Sequence, residues 1–146
     1  MDGPDLDRQR QSFDAVATSA RLARQFAAEL LTRHGAPADV TRDFTLVVSE
    51  LVTNFVEHSN GARVEVSLDL SDRRWWQVEV SGGSGAASKQ LPAPETWTLA
   101  AAGLISGRGL GIVRQLMDHV VVDVDIPQGR VSVRCRRRRS PGPGPR

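Results

Sequence analysis

Three polar side chains recur four residues apart in the segment ELVTNFVEH, namely Glu50, Asn54 and His58. Residues at this spacing lie on one face of an α-helix, so a helix here would align all three. A carboxylate in that position can orient or deprotonate an attacking hydroxyl, and an amide oxygen is a suitable ligand for Mg²⁺ that also holds substrate phosphates. The alternative is an ordinary solvated helix face on which a carboxylate and an amide coincide by chance.

Two glycine-rich segments are candidates for contact with phosphate, the first at residues 107–111 and the second around residues 83–85. Closely spaced glycines let backbone amides approach a phosphate, and a following helix N-terminus adds unsatisfied N–H groups and partial positive charge. The second segment follows a strand pattern and contains Gly83 and Gly85, where the backbone can pass close to a ligand. Glycines also serve plain turns, and the first segment lacks the βαβ context of a dinucleotide fingerprint. That first segment comprises Gly107, Arg108, Gly109, Leu110 and Gly111.

Hydrophobic periodicity predicts the helices that carry these residues. Apolar positions at helical spacing predict one helix between Ala15 and His34, with Gly35 where it ends. A second helix is predicted from about Asp39 to Ser59, and it carries the Glu50 and Asn54 motif. A short third helix is predicted to follow the glycine turn as far as Met117.

Alternation of apolar and polar residues predicts four strands in two hairpins. The first hairpin pairs Val64–Leu70 with Trp76–Val80, and the second pairs Val120–Ile126 with Arg130–Arg134. A long loop of the kind that is usually functional separates the hairpins, from Ser81 to about Ser106. Strands paired in hairpins and helices grouped apart predict an α+β two-layer sandwich, a mostly antiparallel sheet covered on one face by helices.

Length and composition limit the class of protein. The chain has 146 residues, 40% of them hydrophobic and 25% charged, which is the balance of one globular domain. A single cysteine excludes an internal disulfide. Since no run of about 18 apolar residues could span a bilayer and the start lacks the apolar stretch of a secretion signal, we expect a soluble, cytoplasmic protein without membrane contact.

The ends of the chain differ in composition from its centre. Residues 1–12 are expected to be a flexible segment, residues 13–136 the domain, and residues 137–146 a disordered tail rich in Arg, Pro and Gly. A cluster of arginines near the C-terminus is weak evidence for nucleic acid, and we interpret it as a solvated tail. Nucleic acid is therefore not expected as a partner.

Several other residues are assigned no part in chemistry. Trp75 and Trp76 are adjacent in a strand, so they should face opposite sides of the sheet. His34 and His119 lack partners at metal-ligand spacing. The arginines around Cys135 favour a lowered thiol pKa, but no acid–base partner is near in sequence, so we expect this thiol to be structural or incidental.

The order and spacing of these motifs resemble the nucleotide-binding domain of the GHKL superfamily, which includes gyrase, histidine kinases and MutL. The short layout and the segments ELVTNFVEH and GRGLGIVRQLMD look most like the anti-sigma factor serine/threonine kinases of bacteria, over roughly Phe13 to Val133. The resemblance implies a Bergerat-type ATP-binding fold with ATP and Mg²⁺ as cofactors. It assigns general-base chemistry to Glu50, Mg²⁺ binding to Asn54, and the phosphates to Gly107–Gly111, with residues 86–106 as an ATP lid.

One position departs from the family pattern. Family members place an aspartate after the strand, in a V-x-V-x-D-x-G arrangement, and its carboxylate accepts a hydrogen bond from the adenine amino group; this chain has Gly82. Strand alternation puts residue 82 in phase with Val78 and Val80, so Glu79 and Ser81 point to the other face and are poor replacements. Loss of one charge-assisted hydrogen bond weakens binding roughly 10- to 150-fold, so we expect weak or altered nucleotide binding.

The resemblance implies an anti-sigma regulatory factor. Such a protein binds a sigma factor and uses ATP and Mg²⁺ to phosphorylate a serine on an anti-anti-sigma antagonist, and relatives with this layout often form homodimers through their sheets. The alternative is a non-catalytic interaction module of the same fold, a pseudokinase that regulates transcription and was kept after the adenine contact was lost. A histidine kinase fragment is disfavoured because the chain has no phospho-acceptor helix pair.

Overall fold

The computed structural model describes residues 6–58, 63–83, 109–125 and 129–139. Its five strands form one sheet in the order β1-β2-β3-β5-β4, and every neighbouring pair is antiparallel. Three helices accompany the sheet in the described ranges, so the predicted α+β two-layer architecture is confirmed. The elements in chain order are β1 (Arg8–Asp14), α1 (Ser19–Arg33), α2 (Ala38–His58), β2 (Arg63–Asp69), β3 (Trp75–Gly83), α3 (Gly109–Leu116), β4 (His119–Asp125) and β5 (Arg130–Arg138).

The helices bury one face of the sheet. Helix α2 packs on β2 and β3, α1 packs on α2, β1 and β2, and α3 packs on α2 and β4. The apolar faces of both layers meet in one core, because every second strand residue points toward the helices. None of the helices described is long and apolar enough to cross a membrane. The largest fully buried side chains include Leu31, Phe44, Leu51, Leu68 and Val80.

Helix α1 ends as its sequence predicts. Gly35 follows the helix with φ +79°, a left-handed conformation that glycine adopts without steric cost. The backbone N–H of Ala36 donates to Leu31 O at 3.0 Å, and that of Gly35 donates to Thr32 O at 3.0 Å. These bonds satisfy carbonyls that the end of a helix leaves without partners, and they turn the chain toward α2.

Both predicted hairpins form, in registers that agree with the alternation of apolar residues. Val66 lies opposite Val80 in the first hairpin, and Val122 lies opposite Val133 in the second. Trp76 is 5% exposed on the helix-covered face, whereas Trp75 lies on the open face beside Arg136 and His119. The prediction that the two tryptophans face opposite sides is confirmed.

Strand β1 was not predicted, since its residues 8–12 fell in the segment expected to be flexible. It pairs along its length with β2, and it lies at the edge of the sheet. Only Phe13 buries a large side chain there, packing edge-on against Phe26 with ring centroids 6.3 Å apart. An edge strand with one buried apolar residue shows no alternation in its sequence, which is why the pattern failed to reveal it.

Strand β5 is longer than predicted. It continues past Arg134 to Arg138, so two of its residues belong to the segment expected to be a disordered tail. Arg137 faces the helices and forms ion pairs with Asp43 and Asp39 on α2. An arginine at a core-facing position breaks the apolar alternation, and its acidic partners lie too far away in sequence for the pattern to reveal them.

The residue after β5 is also part of the folded body. The Arg139 guanidinium carbon lies 3.7 Å from the centroid of the Trp76 ring. Its Nη2 donates a hydrogen bond to Leu70 O at 2.9 Å. The interpretation of these arginines as a solvated tail is therefore wrong as far as Arg139.

Candidate functional site

Helix α2 presents Glu50 and Asn54 from the border of the core. Val47 and Leu51 on the same helix are 0% and 1% exposed, and Asn54 itself is 4% exposed. Glu50 is half-buried one turn before Asn54. His58 is the last residue of the helix, and its side chain lies outside the description. The predicted helix is confirmed, and it places the carboxylate and the amide on one face.

The side-chain amide of Asn54 is buried without a full set of partners. Its Nδ2 makes no hydrogen bond within the described parts of the chain. An unsatisfied buried polar group costs about 1–3 kcal/mol, so an amide in this position is one that a ligand can complete. This is the clearest polar feature of the candidate site.

The donor set around Asn54 fits a magnesium ion that arrives with phosphates. The described residues contain no cluster of three or more His, Cys, Asp or Glu that could hold a metal ion by themselves. Mg²⁺ is ordinarily bound by one or two protein oxygens together with water and substrate phosphates. The Asn54 amide oxygen is such a ligand, and Asn54 is the residue that would hold the ion here.

Helix α3 begins inside the glycine segment at residues 107–111. Gly109 and Leu110 form its first turn and Gly111 is buried, whereas Gly107 and Arg108 lie outside the described residues. Val113 is fully buried in the core, and α3 packs against α2. Helix α3 is thus held against the helix that carries Asn54, and its first N–H groups have no partners within the helix. That these amides wrap phosphate remains a prediction.

The end of β3 carries the glycines of the other segment. Gly83 is the last residue of the strand, opposite Arg130 in β5, whereas Gly85 and the predicted lid at residues 86–106 lie outside the description. Gly82 is buried in phase with Val78 and Val80. On the open face Ser81 accepts a hydrogen bond of 2.6 Å from Arg130 Nη2. The predicted phase of residues 81 and 82 is therefore confirmed.

Phe55 is a residue of this site that the sequence reasoning missed. It directly follows Asn54 and is 3% exposed. A Cβ atom built on Gly82 would lie 2.8 Å from Phe55 Cδ1 and 3.4 Å from Cε1. The ring therefore takes the space that a side chain at position 82 needs. The sequence did hold a signal for this contact. A large aromatic residue follows Asn54, and a glycine stands near the end of β3, the strand that α2 faces.

The thiol of Cys135 does not have the lowered pKa that its arginine neighbours suggested. It faces the core between Val78 and Val120, and burial raises its pKa to about 12. Arg134 and Arg136 alternate with it along β5, so they point to the opposite face of the sheet. The thiol is structural, as expected, but its environment is apolar rather than cationic.

His34 and His119 make contacts that stabilise the fold. His34 Nδ1 lies 2.9 Å from Leu30 O, and its Nε2 lies 3.0 Å from Asp7 Oδ1, so it links the end of α1 to the start of β1. The ring of His119 meets that of Trp75 edge-on, with centroids 5.1 Å apart. Both contacts stabilise parts of the fold that lie outside the segment containing Glu50 and Asn54.

Comparison with known proteins shows the family and the fold of this chain. Residues 13–135 match the family model described as a histidine kinase-like ATPase domain. No curated protein sequence matches the chain. The structure of the RsbU and RsbW domains of Rv1364c from Mycobacterium tuberculosis is similar over 92% of this chain, with a TM-score of 0.65 and 20% identity. This chain covers 33% of the length of that one.

A second similar structure matches in length as well as in fold. The SiaB–SiaC complex from Pseudomonas aeruginosa contains a chain that is similar over 89% of both chains, with a TM-score of 0.63 and 13% identity. At these identities the two structures show a shared fold. The match to the family model covers the three helices, strands β2 to β4, most of β5 and the motif segments, but only the last two residues of β1.

Proposed function

The chain belongs to the histidine kinase-like ATPase domain family, and on that premise we propose that it is an anti-sigma regulatory factor. It binds a sigma factor and transfers phosphate from ATP to a serine of an anti-anti-sigma protein. Its motifs resemble those of the anti-sigma factor kinases, and one structural neighbour contains an RsbW domain while another is a complex of two proteins. These likenesses support a protein that acts by binding other proteins.

The observation that carries the proposal is the unpartnered side-chain nitrogen of Asn54. The residue is 4% exposed on the helix against which α3 packs, and its Nδ2 makes no hydrogen bond to any described residue. A phosphate oxygen of a bound nucleotide could accept the hydrogen bond that this N–H group lacks, which supports a ligand at this position. Bound ATP and Mg²⁺ supply the phosphoryl group and the charge neutralisation that its transfer needs.

Glu50, Asn54 and the start of α3 have separate roles in the phosphoryl transfer. Glu50 lies one turn before Asn54 and is half-buried, so its carboxylate can orient or deprotonate the serine hydroxyl of the antagonist. The backbone amides at the start of α3 stabilise negative charge on the phosphate oxygens. Asn54 holds the metal ion through its amide oxygen. Positioning and electrostatics of this kind account for most of the catalysis in phosphoryl transfer.

Asn54→Ala tests the site. We expect it to lower phosphate transfer to the antagonist at least about 100-fold, since the metal ligand is lost. It should not lower the free energy of unfolding by more than about 1 kcal/mol, because the amide nitrogen it removes is unsatisfied in the fold. The measurement is labelled phosphate on candidate anti-anti-sigma proteins, with urea unfolding alongside.

Gln25→Ala is the matched control for this test. Gln25 is an exposed amide on α1, and its removal should leave transfer unchanged. Equal transfer by the Asn54→Ala variant and the wild-type protein would show that the metal assignment is wrong. Glu50→Gln should lower the rate while Mg²⁺-dependent binding of ATP persists.

A specific contact also supports the non-catalytic alternative. The ring of Phe55 takes the space for a side chain at position 82, where the family pattern has its aspartate. A pseudokinase would bind its sigma factor equally well with and without ATP and Mg²⁺, and it would transfer no phosphate. A ligand that binds only the folded state must raise its melting temperature, so thermal unfolding with and without ATP and Mg²⁺ separates the two functions.

A further inference from the structure

Gly82 and Phe55 are packed so closely that residue 82 cannot gain a side chain unless the Phe55 ring moves or is replaced. The Cβ that any other residue would bring to position 82 would lie 2.8 Å from Phe55 Cδ1 and 3.5 Å from Arg63 O. Carbon atoms at optimal contact are about 3.5–4.0 Å apart, so the first distance requires a shift. The clash involves the body of a buried ring and not the end of a flexible side chain.

Neither partner has room to withdraw. Gly82 belongs to the central strand of the sheet and is paired on both sides, opposite Val64 in β2 and Val131 in β5. Phe55 is 3% exposed and belongs to the buried core cluster. Moving the strand breaks ladders on two sides, and turning the ring outward exposes a large apolar surface.

We propose that Phe55 fills the space a purine base would occupy beside residue 82, so that this protein binds its ligand through the phosphate chain without selecting the base. The ligand class is then a nucleoside triphosphate of any base, and inorganic triphosphate shares the same contacts. This inference rests on the proposed function, since it assumes that Asn54 and the start of α3 bind phosphates. It adds that the absence of an aspartate at position 82 and the presence of Phe55 belong together, because the ring takes the space that the aspartate side chain needs.

The phosphate half of the site is compatible with this closure. Successive residues of an α-helix are about 100° apart around its axis, so the Phe55 ring and the Asn54 amide leave α2 in different directions. Asn54 keeps its unpartnered nitrogen with the ring in place. Closing the base side therefore leaves the polar groups of the phosphate side available.

The first experiment uses the wild-type protein with Mg²⁺ and measures the dissociation constants of ATP, GTP and inorganic triphosphate. We expect the three constants to agree within about threefold, because the contacts they share are those to the phosphates. A preference of ten-fold or more for ATP over GTP overturns the inference. If ATP still supports phosphate transfer in that case, the proposed function stands without it.

The second experiment restores the base contact. The double variant Phe55→Ala with Gly82→Asp should prefer ATP over GTP roughly 10- to 150-fold, the range that one charge-assisted hydrogen bond provides. Gly82→Asp alone should gain no preference and should melt at a lower temperature, because the carboxylate meets the ring.

Two results would contradict the coupling. If Gly82→Asp alone acquires the preference for ATP, Phe55 does not close the base side. If neither the wild-type protein nor the double variant binds any of the three ligands, the phosphate site itself is absent, and the proposed function fails together with this inference. Because the wild-type measurements need no variant, they test the inference even if the double variant does not fold.

Discussion

At the scale of single residues, burial affects Asn54 and Cys135 in different ways. The amide of Asn54 is buried with an unsatisfied nitrogen, which lowers stability and makes the residue a candidate to contact a ligand. The thiol of Cys135 is buried among apolar neighbours, and desolvation raises its pKa because the thiolate cannot be hydrated there. For the first residue we propose a ligand, whereas packing explains the second.

The raised pKa of Cys135 predicts how stability depends on alkaline pH. The pKa rises from an ordinary value near 9 to about 12 in the folded protein, so above pH 9 only the unfolded chain releases this proton. Stability is therefore fully present below pH 9, and it should fall by up to about 1.4 kcal/mol per pH unit between pH 9 and 12. The chain has no tyrosine, which leaves few other groups that titrate in this range.

Urea unfolding at several pH values, on the wild-type protein and on Cys135→Val, measures this slope. In the variant the free energy of unfolding should decrease much less over this pH range, because valine has no proton to release. A thiol reagent at pH 8 should also leave the native protein unmodified and react after unfolding. Rapid modification of the native protein would show that the thiol is accessible.

At the scale of elements, short-range rules account for where most helices and strands begin and end. Helix α1 stops at a glycine in the left-handed region, and the two predicted hairpins pair in register with their apolar residues facing the helices. Strand β1 and the end of β5 follow other causes, namely pairing with a neighbouring strand and an ion pair to a helix. Elements whose stability comes from such partners are those that periodicity does not reveal.

Gly35→Ala tests the end of α1. The residue has φ +79° and no atom within 4 Å of the added Cβ, so the cost is conformational and not a clash. We expect a loss of about 1–2 kcal/mol in the free energy of unfolding. Gly35→Asn should lose less, because asparagine tolerates the left-handed region better than alanine. Equal losses for the two variants in urea unfolding would mean that the conformation of residue 35 is not the cause.

At the scale of the whole molecule, the two layers are joined by a polar contact as well as by the apolar core. Arg137 of β5 reaches across to Asp43 and Asp39 of α2, and its side chain is 24% exposed while that of Asp43 is 15% exposed. Removing Asp43 leaves the Arg137 charge with only the more exposed Asp39 as a partner, so part of its compensation is lost. Exposed pairs on the other face, such as Arg10 with Glu65 at 3.8 Å, do not have this consequence.

Asp43→Ala and Arg10→Ala compare the two kinds of ion pair. We expect the first to lower the free energy of unfolding by about 1.5–3 kcal/mol, since a charge-assisted hydrogen bond in a half-buried setting is lost. The second should lower it by less than about 1 kcal/mol, because Arg10 is 70% exposed. Similar midpoints of denaturant unfolding for the two variants would show that the pair between the layers adds nothing beyond a surface pair.

Much of the fold and part of the site could be predicted because their signals are local. Helical and strand periods, the glycine after α1, and the spacing of Glu50 and Asn54 all depend on residues a few positions apart. The phase of Gly82 with Val78 and Val80 followed from strand alternation in the same way. These features are confirmed, and so is the architecture that they imply.

Other features depend on residues that meet only after folding. Phe55 and Gly82 belong to a helix and a strand that pack face to face, and Asp43 and Arg137 are 94 positions apart. Whether a buried amide finds a partner also depends on every element around it. No local pattern in a sequence encodes which distant side chains share a volume, so the closed space beside Gly82 and the missing partner of Asn54 became visible only once the layers were assembled.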